Sequence, residues 1–237
     1  MNSEHPEYNS DTNPYPSFGK KYNSERAIIS LTSWKARINT VSKTLFSLIK
    51  QCPGFHIVLV LSEEEFPKMM DELPDNLKLF VDNELIEVLW VYRNYRSFKK
   101  WIFTSQKYPD VPVISADDDC IYTCNYAQML YDVWVNNKNC CVSNYSHKIA
   151  SYNMPNGYAT LYIPMLGQFI QTKLNETVLS TNNDDSLTAF ILNKLHINIK
   201  YINKTIAVFH DEISAMGANG MYVRGSSVFS ILQSLFQ

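Results

Sequence analysis

The chain has 237 residues, of which 46% are hydrophobic and 19% charged, and its 21 basic and 23 acidic side chains leave a net charge of -2. This length allows one domain, or at most two small ones, with a sizeable buried core. A nearly neutral chain with 7 Gly excludes fibrous and low-complexity proteins, and it lacks the basic field that general nucleic-acid binding requires. We therefore expect a globular domain and no nucleic-acid partner.

The first 24 residues are rich in Asn, Ser and Pro, which bury little surface, so they predict a mobile lead. They contain no apolar core of the kind found in signal peptides, and no run in the chain approaches the roughly 20 apolar residues that span a bilayer. The five cysteines are an odd number, which fits a reducing compartment better than a disulfide framework. We expect a cytoplasmic protein whose fold begins near Arg26.

Short apolar runs then alternate with segments of helical spacing. The apolar runs lie at 27–31, 56–61, 86–91 and 111–115. Strands that are apolar on both faces and separated by helices are typical of a parallel sheet that is covered on two sides. The pattern predicts an α/β fold with a mostly parallel sheet and helices on both faces.

After about residue 138 the pattern loosens into shorter segments of β type, at 140–146, 158–164 and 199–209. We interpret these segments as a smaller antiparallel extension. No internal repeat and no linker rich in Pro, Gly or Ser divides the chain. We therefore predict one domain over residues 25–225, with halves at 25–123 and 124–225.

The last segment, residues 226–237, has apolar side chains at helical spacing and no charged residue. This pattern predicts a C-terminal helix. Three interpretations are open: the helix packs on the domain's own core, lies on a membrane surface as a peripheral contact, or binds a partner.

The most unusual local feature is the run of Asp117, Asp118 and Asp119 directly after an apolar segment. Three adjacent carboxylates repel one another, so a compensating charge is expected. Mg²⁺ and Mn²⁺ sites use a few carboxylates together with phosphate oxygens and water. The alternative is a solvated turn in which one Asp caps the next helix. Ligands of parallel sheets bind beyond the carboxyl ends of strands, where this run falls.

The pattern Asp117-x-Asp119 at a strand end resembles the Asp-x-Asp motif of glycosyltransferases with the GT-A fold. The resemblance covers roughly residues 26–212, through the segments IISLTSWKARINTVSKTLFSLIKQ and IVLVLSEEEFP and the SFKK step at 97–100. This ordered set is similar to small bacterial glycosyltransferases of lipopolysaccharide or capsule assembly. It implies a GT-A fold, a Mn²⁺ or Mg²⁺ cofactor, a nucleotide-sugar donor, with UDP favoured, and a glycan or glycolipid acceptor.

The resemblance also implies roles for single residues. It assigns the metal to Asp119, Asp117 and His210. It assigns the nucleotide sugar to Thr32, Ser33, Arg37, Lys100, Asp117, Asp118 and Gly157. Several of these residues have a structural alternative, because Thr32, Ser33 and Arg37 also suit a turn and a helix start, and a lone histidine such as His210 is often structural.

Asp184 and Asp185 open a segment of helical spacing, which resembles the acidic motif that supplies the catalytic base in inverting members. The resemblance implies that Asp185, or else Asp184, accepts the acceptor's hydroxyl proton, while the other caps the helix. The same pair can bind acceptor hydroxyls, so inverting and retaining chemistry both stay open.

The predicted function is metal-dependent transfer of a hexosyl-type sugar in cell-surface polysaccharide synthesis. The alternatives are a non-catalytic sugar- or metal-binding relative and a sugar nucleotidyltransferase.

Overall fold

The computed structural model describes residues 15–210, 229–230 and 232–233, except for 52, 150, 172–173 and 182. The strands are β1 (Ser17–Gly19), β2 (Ala27–Thr32), β3 (Phe55–Ser62), β4 (Glu87–Val91), β5 (Val113–Ala116), β6 (Cys120–Tyr122), β7 (Cys141–Ser143), β8 (His147–Ile149), β9 (Tyr152–Met154), β10 (Thr160–Tyr162), β11 (Ile199–Tyr201) and β12 (Ala207–Phe209). The helices are α1 (Val41–Ile49), α2 (Asp75–Asp82), α3 (Ile102–Lys107), α4 (Tyr126–Val135), α5 (Leu166–Gln171), α6 (Glu176–Ser180) and α7 (Asp184–Lys194). Two 3₁₀ helices, Met69–Glu72 and Arg96–Lys100, precede α2 and α3.

Eight strands form one sheet in the order β1-β4-β3-β2-β5-β10-β7-β11. Strands β2 to β5 pair in parallel, and β11 is parallel to β7. The prediction of an α/β fold with a mostly parallel sheet is therefore confirmed. The predicted antiparallel extension is continuous with this sheet, because β10 pairs antiparallel with both β5 and β7. Two ribbons, β6 with β12 and β8 with β9, lie outside it.

The sheet changes its direction of growth at β2. From β2 the chain adds β3 and then β4 on one side, and it returns to place β5 on the other side of β2. The carboxyl ends of β2 and β5 are neighbours, because the two strands pair in parallel with Leu31 opposite Ala116. Open α/β sheets bind ligands in the crevice at such a switch point. Ser33 follows β2 and Asp117 follows β5, so the segment that begins at Ser33 and the acidic run both lie at this crevice.

Two apolar clusters cover the two faces of the sheet. In β2, Ile29 and Leu31 belong to one cluster and Ile28 to the other. Leu45 of α1 lies in the first cluster, and Phe103 of α3 lies in the second. Successive side chains of a strand point to opposite faces, so a strand that is covered on both faces is apolar throughout.

Part of the predicted N-terminal lead contributes to the sheet. Ser17–Gly19 pairs antiparallel with β4, and the hydroxyl of Ser17 accepts a hydrogen bond from Lys107 Nζ at 2.5 Å. Pairing satisfies the backbone groups of a polar segment without a large apolar surface, which composition alone does not reveal. Residues 1–14 lie outside the described residues.

The C-terminal segment contacts the domain itself. Phe229 and Leu232 are buried in the second apolar cluster, and the Phe229 ring stacks on Tyr152 with centroids 4.0 Å apart. Most of the predicted helix lies outside the described residues, but these contacts favour the interpretation that it packs on its own core. Within the described ranges, no helix has the length and apolar character needed to cross a membrane.

Candidate functional site

Asp118 joins the two walls of the crevice between β2 and β5. Ser33 Oγ donates a hydrogen bond to its Oδ2 at 2.7 Å, and Arg37 Nη1 donates to its Oδ1 at 2.6 Å. Its backbone carbonyl accepts from Thr44 Oγ1 of α1 at 2.9 Å. Burial raises the pKa of Asp118, although Arg37 and Ser33 oppose this rise. Both carboxylate oxygens therefore have protein donors, and this residue ties the segment after β2 to the end of β5.

Asp119 is less well compensated than Asp118. Its Oδ2 lies 3.1 Å from the same Arg37 Nη1, and its Oδ1 accepts a weak hydrogen bond from Cys120 Sγ at 3.7 Å. Burial and the neighbouring Asp117 carboxylate raise the pKa of Asp119 to about 6, and Arg37 offsets only part of this effect. The site thus carries more negative charge than its basic side chains neutralise.

Asp117 faces Lys100 across the crevice. Lys100 ends the 3₁₀ helix before α3, and its carbonyl accepts a hydrogen bond from Ser30 of β2 at 2.6 Å. Its Nζ lies 2.5 Å from Asp117 Oδ1 and 3.6 Å from Asp184 Oδ2. Burial opposes the charged form, but Asp117, Asp184 and Asp185 raise the pKa of Lys100 well above its usual value. Lys100 is a buried ammonium group between the two acidic parts of the site.

Asp184 and Asp185 begin α7, but neither of them caps it. The cap is Asn183, whose side chain accepts a hydrogen bond from the Ser186 N–H at 3.0 Å. Burial and Asp184 raise the pKa of Asp185 to about 8, whereas Lys100 lowers it. The predicted capping role therefore falls to the preceding asparagine, and both carboxylates face Lys100.

Gly157 lies against this acidic pair. A Cβ atom at Gly157 would stand 2.5 Å from Asp185 Oδ1 and 3.1 Å from Lys100 Nζ. A residue with a side chain would therefore displace one of these two charged groups. This close approach explains the glycine without any need for an unusual backbone angle.

His210 follows β12 and is held beside Asp119. Its backbone N–H donates to the Asp119 carbonyl at 2.8 Å, and its Nε2 hydrogen-bonds Thr44 Oγ1 at 3.1 Å. Because the single Thr44 proton is directed to the Asp118 carbonyl, His210 donates from Nε2, and a neutral ring then has its lone pair on Nδ1. In the part of the chain that the structure describes, no three His, Cys, Asp or Glu side chains form a ready-made metal cage.

The residues predicted from the sequence meet at one place, with one exception. Thr32 lies at the same strand end, but its Oγ1 donates to the Val60 carbonyl at 2.7 Å and so bonds within the sheet. Sequence reasoning missed Thr44, which links Asp118 to His210. A signal for it existed, because Thr44 is a polar residue on the apolar face of α1 that also carries Leu45 and Leu48.

The sequence matches no protein-family model and no curated protein. Solved structures do match the fold. One is the mannosyltransferase PcManGT from Pyrobaculum calidifontis in complex with GDP-Man and Mn²⁺, at a TM-score of 0.57 and 13% identity, with 86% of this chain and 62% of that chain covered. Another is S. aureus TarS 1-349 in complex with UDP, at a TM-score of 0.53 and 11% identity, with 76% of this chain and 59% of that chain covered.

The chain has the GT-A glycosyltransferase fold. This confirms the fold that the Asp-x-Asp resemblance implied, with the same mostly parallel sheet and the acidic run at its switch point. The chain spans less than two thirds of the length of the two solved structures, at 62% and 59%. At identities of 13% and 11% the likeness establishes the fold, and the activity is argued below from the site itself.

Proposed function

We propose that this protein is a glycosyltransferase that moves a hexosyl-type sugar from a nucleotide sugar to a glycan or glycolipid acceptor, with Mn²⁺ or Mg²⁺ as cofactor. The observation that carries the proposal is the arrangement around Lys100. Its ammonium group lies between Asp117 at the strand end and Asp184 at the start of α7. Acidic side chains for a metal and for a base thus flank one crevice of a GT-A fold.

The residues of this crevice fit a divalent cation whose coordination is completed by phosphate. Carboxylate oxygens are the ligands that Mg²⁺ and Mn²⁺ prefer, and such sites use one or two carboxylates plus substrate phosphates and water. The raised pKa of Asp119, about 6, marks a carboxylate in need of a further positive charge. We propose Asp119 and Asp117 as ligands, with His210 contributing through Nδ1. When bound, the cation neutralises the diphosphate leaving group.

The chain's own residues supply the rest of the chemistry. Arg37 and Ser33 hold Asp118 and so fix the segment after β2 against the acidic run. Lys100 keeps its proton and places a positive charge in a buried site, where it stabilises negative charge that develops on the leaving group. The Lys100 ammonium group therefore favours departure of an anionic group.

Asp185 is the proposed general base, with Asp184 as its neighbour on Lys100. A general base works best when its pKa lies near the working pH, and the pKa of Asp185 is raised to about 8. Proton acceptance from the acceptor hydroxyl by such a group contributes roughly 10²- to 10⁴-fold to the rate. This assignment makes the reaction inverting, since a retaining transfer needs no such base.

The two similar structures motivate the choice of donors, since one was solved with GDP-Man and the other with UDP. We favour a UDP-sugar and a product in cell-surface polysaccharide synthesis. The test is a panel of UDP-, GDP-, CMP- and dTDP-sugars with Mn²⁺, in which nucleotide release is followed with and without glycan acceptors. We expect release from one donor class and loss of release on chelation of the metal.

Variants make the test specific to the site. Asp119→Ala should abolish nucleotide release, whereas Asp82→Ala on the exposed surface of α2 should leave it unchanged. Full activity in Asp119→Ala would contradict the metal site. Sugar binding without turnover by any donor, and without need for a metal, would instead identify a non-catalytic binding protein.

A further inference from the structure

Tyr122 connects the acidic run to the turn that carries Gly157. This tyrosine is 5% exposed, and its hydroxyl oxygen accepts a hydrogen bond from the Asp117 backbone N–H at 2.8 Å. The same hydroxyl donates to the backbone carbonyl of Tyr158 at 2.7 Å. A phenol has one proton to donate, so both principal bonds of this group are committed to holding two backbone segments at a set distance.

The turn at 156–159 is itself held firmly from the other side. Asn144 is fully buried, and its Nδ2 donates to the Tyr158 hydroxyl at 2.6 Å. Asn156 donates from Nδ2 to Asn144 Oδ1 at 2.7 Å and from its backbone N–H to Ser143 Oγ at 2.9 Å. Strand β7 and Asn144 therefore hold the turn against the sheet. The Tyr122 hydroxyl connects this turn to Asp117.

The turn also meets the acidic pair of α7. A Cβ atom on Gly157 would lie 2.5 Å from Asp185 Oδ1, so the turn backbone is in direct contact with that carboxylate. Asp117 and Asp185 are carboxyl groups on separate elements, and both interact with the Lys100 ammonium group. Electrostatic attraction to Lys100 alone would let the distance between Asp117 and Asp185 vary. The two hydrogen bonds of the Tyr122 hydroxyl restrict that distance.

We propose that Tyr122 is a positioning residue that fixes Asp117 relative to Asp185 through its bonds to Asp117 and to the 156–159 turn. This inference rests on the proposed function, since it assigns the two carboxylates to the metal and to the base of one reaction. Small displacements of reacting groups are costly, and about 1 Å can cost roughly 10²-fold in rate. The hydroxyl of Tyr122 thus acts on catalysis through backbone groups and not through contact with substrate.

The chain offers a matched control in Tyr126. Its ring lies 4.3 Å from that of Tyr122, centroid to centroid, and it is fully buried. Its hydroxyl has no hydrogen-bond partner among the described residues. Tyr122→Phe and Tyr126→Phe therefore remove the same atom from neighbouring buried rings, and only the first removes the connection.

The experiment compares the wild-type protein with Tyr122→Phe and Tyr126→Phe, first without metal or donor. Backbone amide exchange, followed by NMR, should accelerate about tenfold or more at Asp117 in Tyr122→Phe, as expected for loss of one hydrogen bond of about 1.4 kcal/mol. Exchange should stay unchanged in Tyr126→Phe. Unchanged protection of amides in β2 and β3 shows that each variant is folded. Equal exchange at Asp117 in all three proteins would show that the Tyr122 hydroxyl does not bridge Asp117 and the 156–159 turn.

The second measurement is steady-state transfer with the donor and Mn²⁺ found for the wild-type protein. We expect kcat of Tyr122→Phe to fall about tenfold while the KM for donor stays within about threefold, because positioning affects the reacting geometry more than binding. An altered Asp117 exchange with unchanged kcat would overturn the positioning role. Absence of transfer by the wild-type protein would overturn the proposed function and any catalytic meaning of the bridge, whereas the exchange result would still decide whether the bridge exists.

Discussion

At the scale of single residues, the site is an arrangement of mostly buried charged groups in which carboxyl groups outnumber the two basic side chains. Arg37 forms ion pairs with Asp118 and Asp119, and Lys100 forms ion pairs with Asp117 and Asp184. Buried ion pairs add little net stability, because desolvation offsets the attraction, but removal of one partner is costly. Their neighbours are therefore constrained in size as well as in charge.

Gly157→Ala tests the constraint on size. The new methyl group would stand 2.5 Å from Asp185 Oδ1, which is the end of a side chain and can turn away. We expect kcat for transfer to fall about tenfold or more with little change in melting temperature. The measurement is steady-state transfer together with a thermal unfolding curve.

Gly167→Ala is the matched control for that variant. At this position a Cβ atom would lie 2.6 Å from the Ile102 backbone carbonyl and 2.6 Å from Ser105 Cβ, between α3 and α5. Backbone cannot turn away, so we expect a loss of about 1–3 kcal/mol in unfolding free energy. The turnover per folded molecule of Gly167→Ala should equal that of the wild-type protein. A destabilised Gly157→Ala with normal turnover per folded molecule would contradict our account.

Asp185→Asn tests the raised pKa of this carboxyl group. Its pKa is 3.8 in the absence of the fold and about 8 within it, so the folded state favours the protonated form. The stability that this group contributes is present below pH 4 and is lost as the pH rises toward 8. In metal-free protein, the unfolding free energy of Asp185→Asn relative to wild type should therefore increase between pH 5 and pH 8, by at most about 1.4 kcal/mol per pH unit.

Urea unfolding at several pH values measures this difference. Exposed Asp82→Asn serves as the control and should show a pH dependence like that of the wild-type protein. If the unfolding free energies of Asp185→Asn and wild type differed by the same amount at every pH, burial would not penalise the charged form of Asp185.

At the scale of elements, the start of α7 determines where the acidic pair points. Asn183 accepts the Ser186 N–H as helix cap, and the two acidic residues follow in the first turn. Helix α6 is capped in the same way, with Asn175 accepting the Val178 N–H at 3.0 Å. The two caps are chemically alike, but only the cap of α7 adjoins site residues.

Asn183→Ala should therefore affect both stability and transfer. Loss of an asparagine cap costs about 1 kcal/mol, and fraying of the first turn would displace Asp184 and Asp185 from Lys100. Asn175→Ala should cost a similar free energy and leave kcat unchanged. Equal effects of the two variants on kcat, measured below the unfolding transition, would show that the α7 cap has no role in the site.

At the scale of the whole molecule, the two ends of the sheet have different chemistry. The carboxyl end of the strands carries the candidate site, and the amino end carries a buried polar cluster around Glu87. Glu87 accepts hydrogen bonds from His56 and Tyr108, both at 2.7 Å, and forms a close ion pair with Lys107. Burial opposes ionisation, but these three partners lower the pKa of Glu87 to about 2. Lys107 also bonds Ser17, so the cluster connects α3 to the edge strand β1.

Glu87→Gln tests this cluster. A carboxyl group whose pKa falls from 4.5 to about 2 on folding contributes stability above pH 4.5 that is lost as the pH falls through 2. We expect the variant to lose about 3 kcal/mol of unfolding free energy at pH 7 and to differ less from wild type near pH 2. Urea unfolding at both pH values measures the change in unfolding free energy. An equal loss at both pH values would show that the charge of Glu87 is not the cause of the loss.

The sequence by itself determined the sheet, the position of the acidic run and most of the residues that meet there. Strands buried on both faces must be apolar throughout, so a local run of apolar residues marks each strand. The alternation of strands and helices implies that the carboxyl ends of the parallel strands lie at the same edge of the sheet. For the same reason, the sequence pattern places the residues after β2 and β5 at one edge of the sheet. The roles of Asp117, Asp119, Asp185 and His210 remain predictions.

Only the tertiary structure decided which partners these residues take. Asn183 caps α7 in place of an aspartate, Thr32 bonds within the sheet, and Thr44 joins Asp118 to His210. Each of these outcomes depends on contacts between residues far apart in the chain, where alternative polar partners differ by about 1 kcal/mol. The same holds for the Tyr122 hydroxyl, because a tyrosine in a short β segment has the pattern of a core residue. Local pattern determines which residues are buried, and the packing of distant segments determines what a buried polar atom bonds.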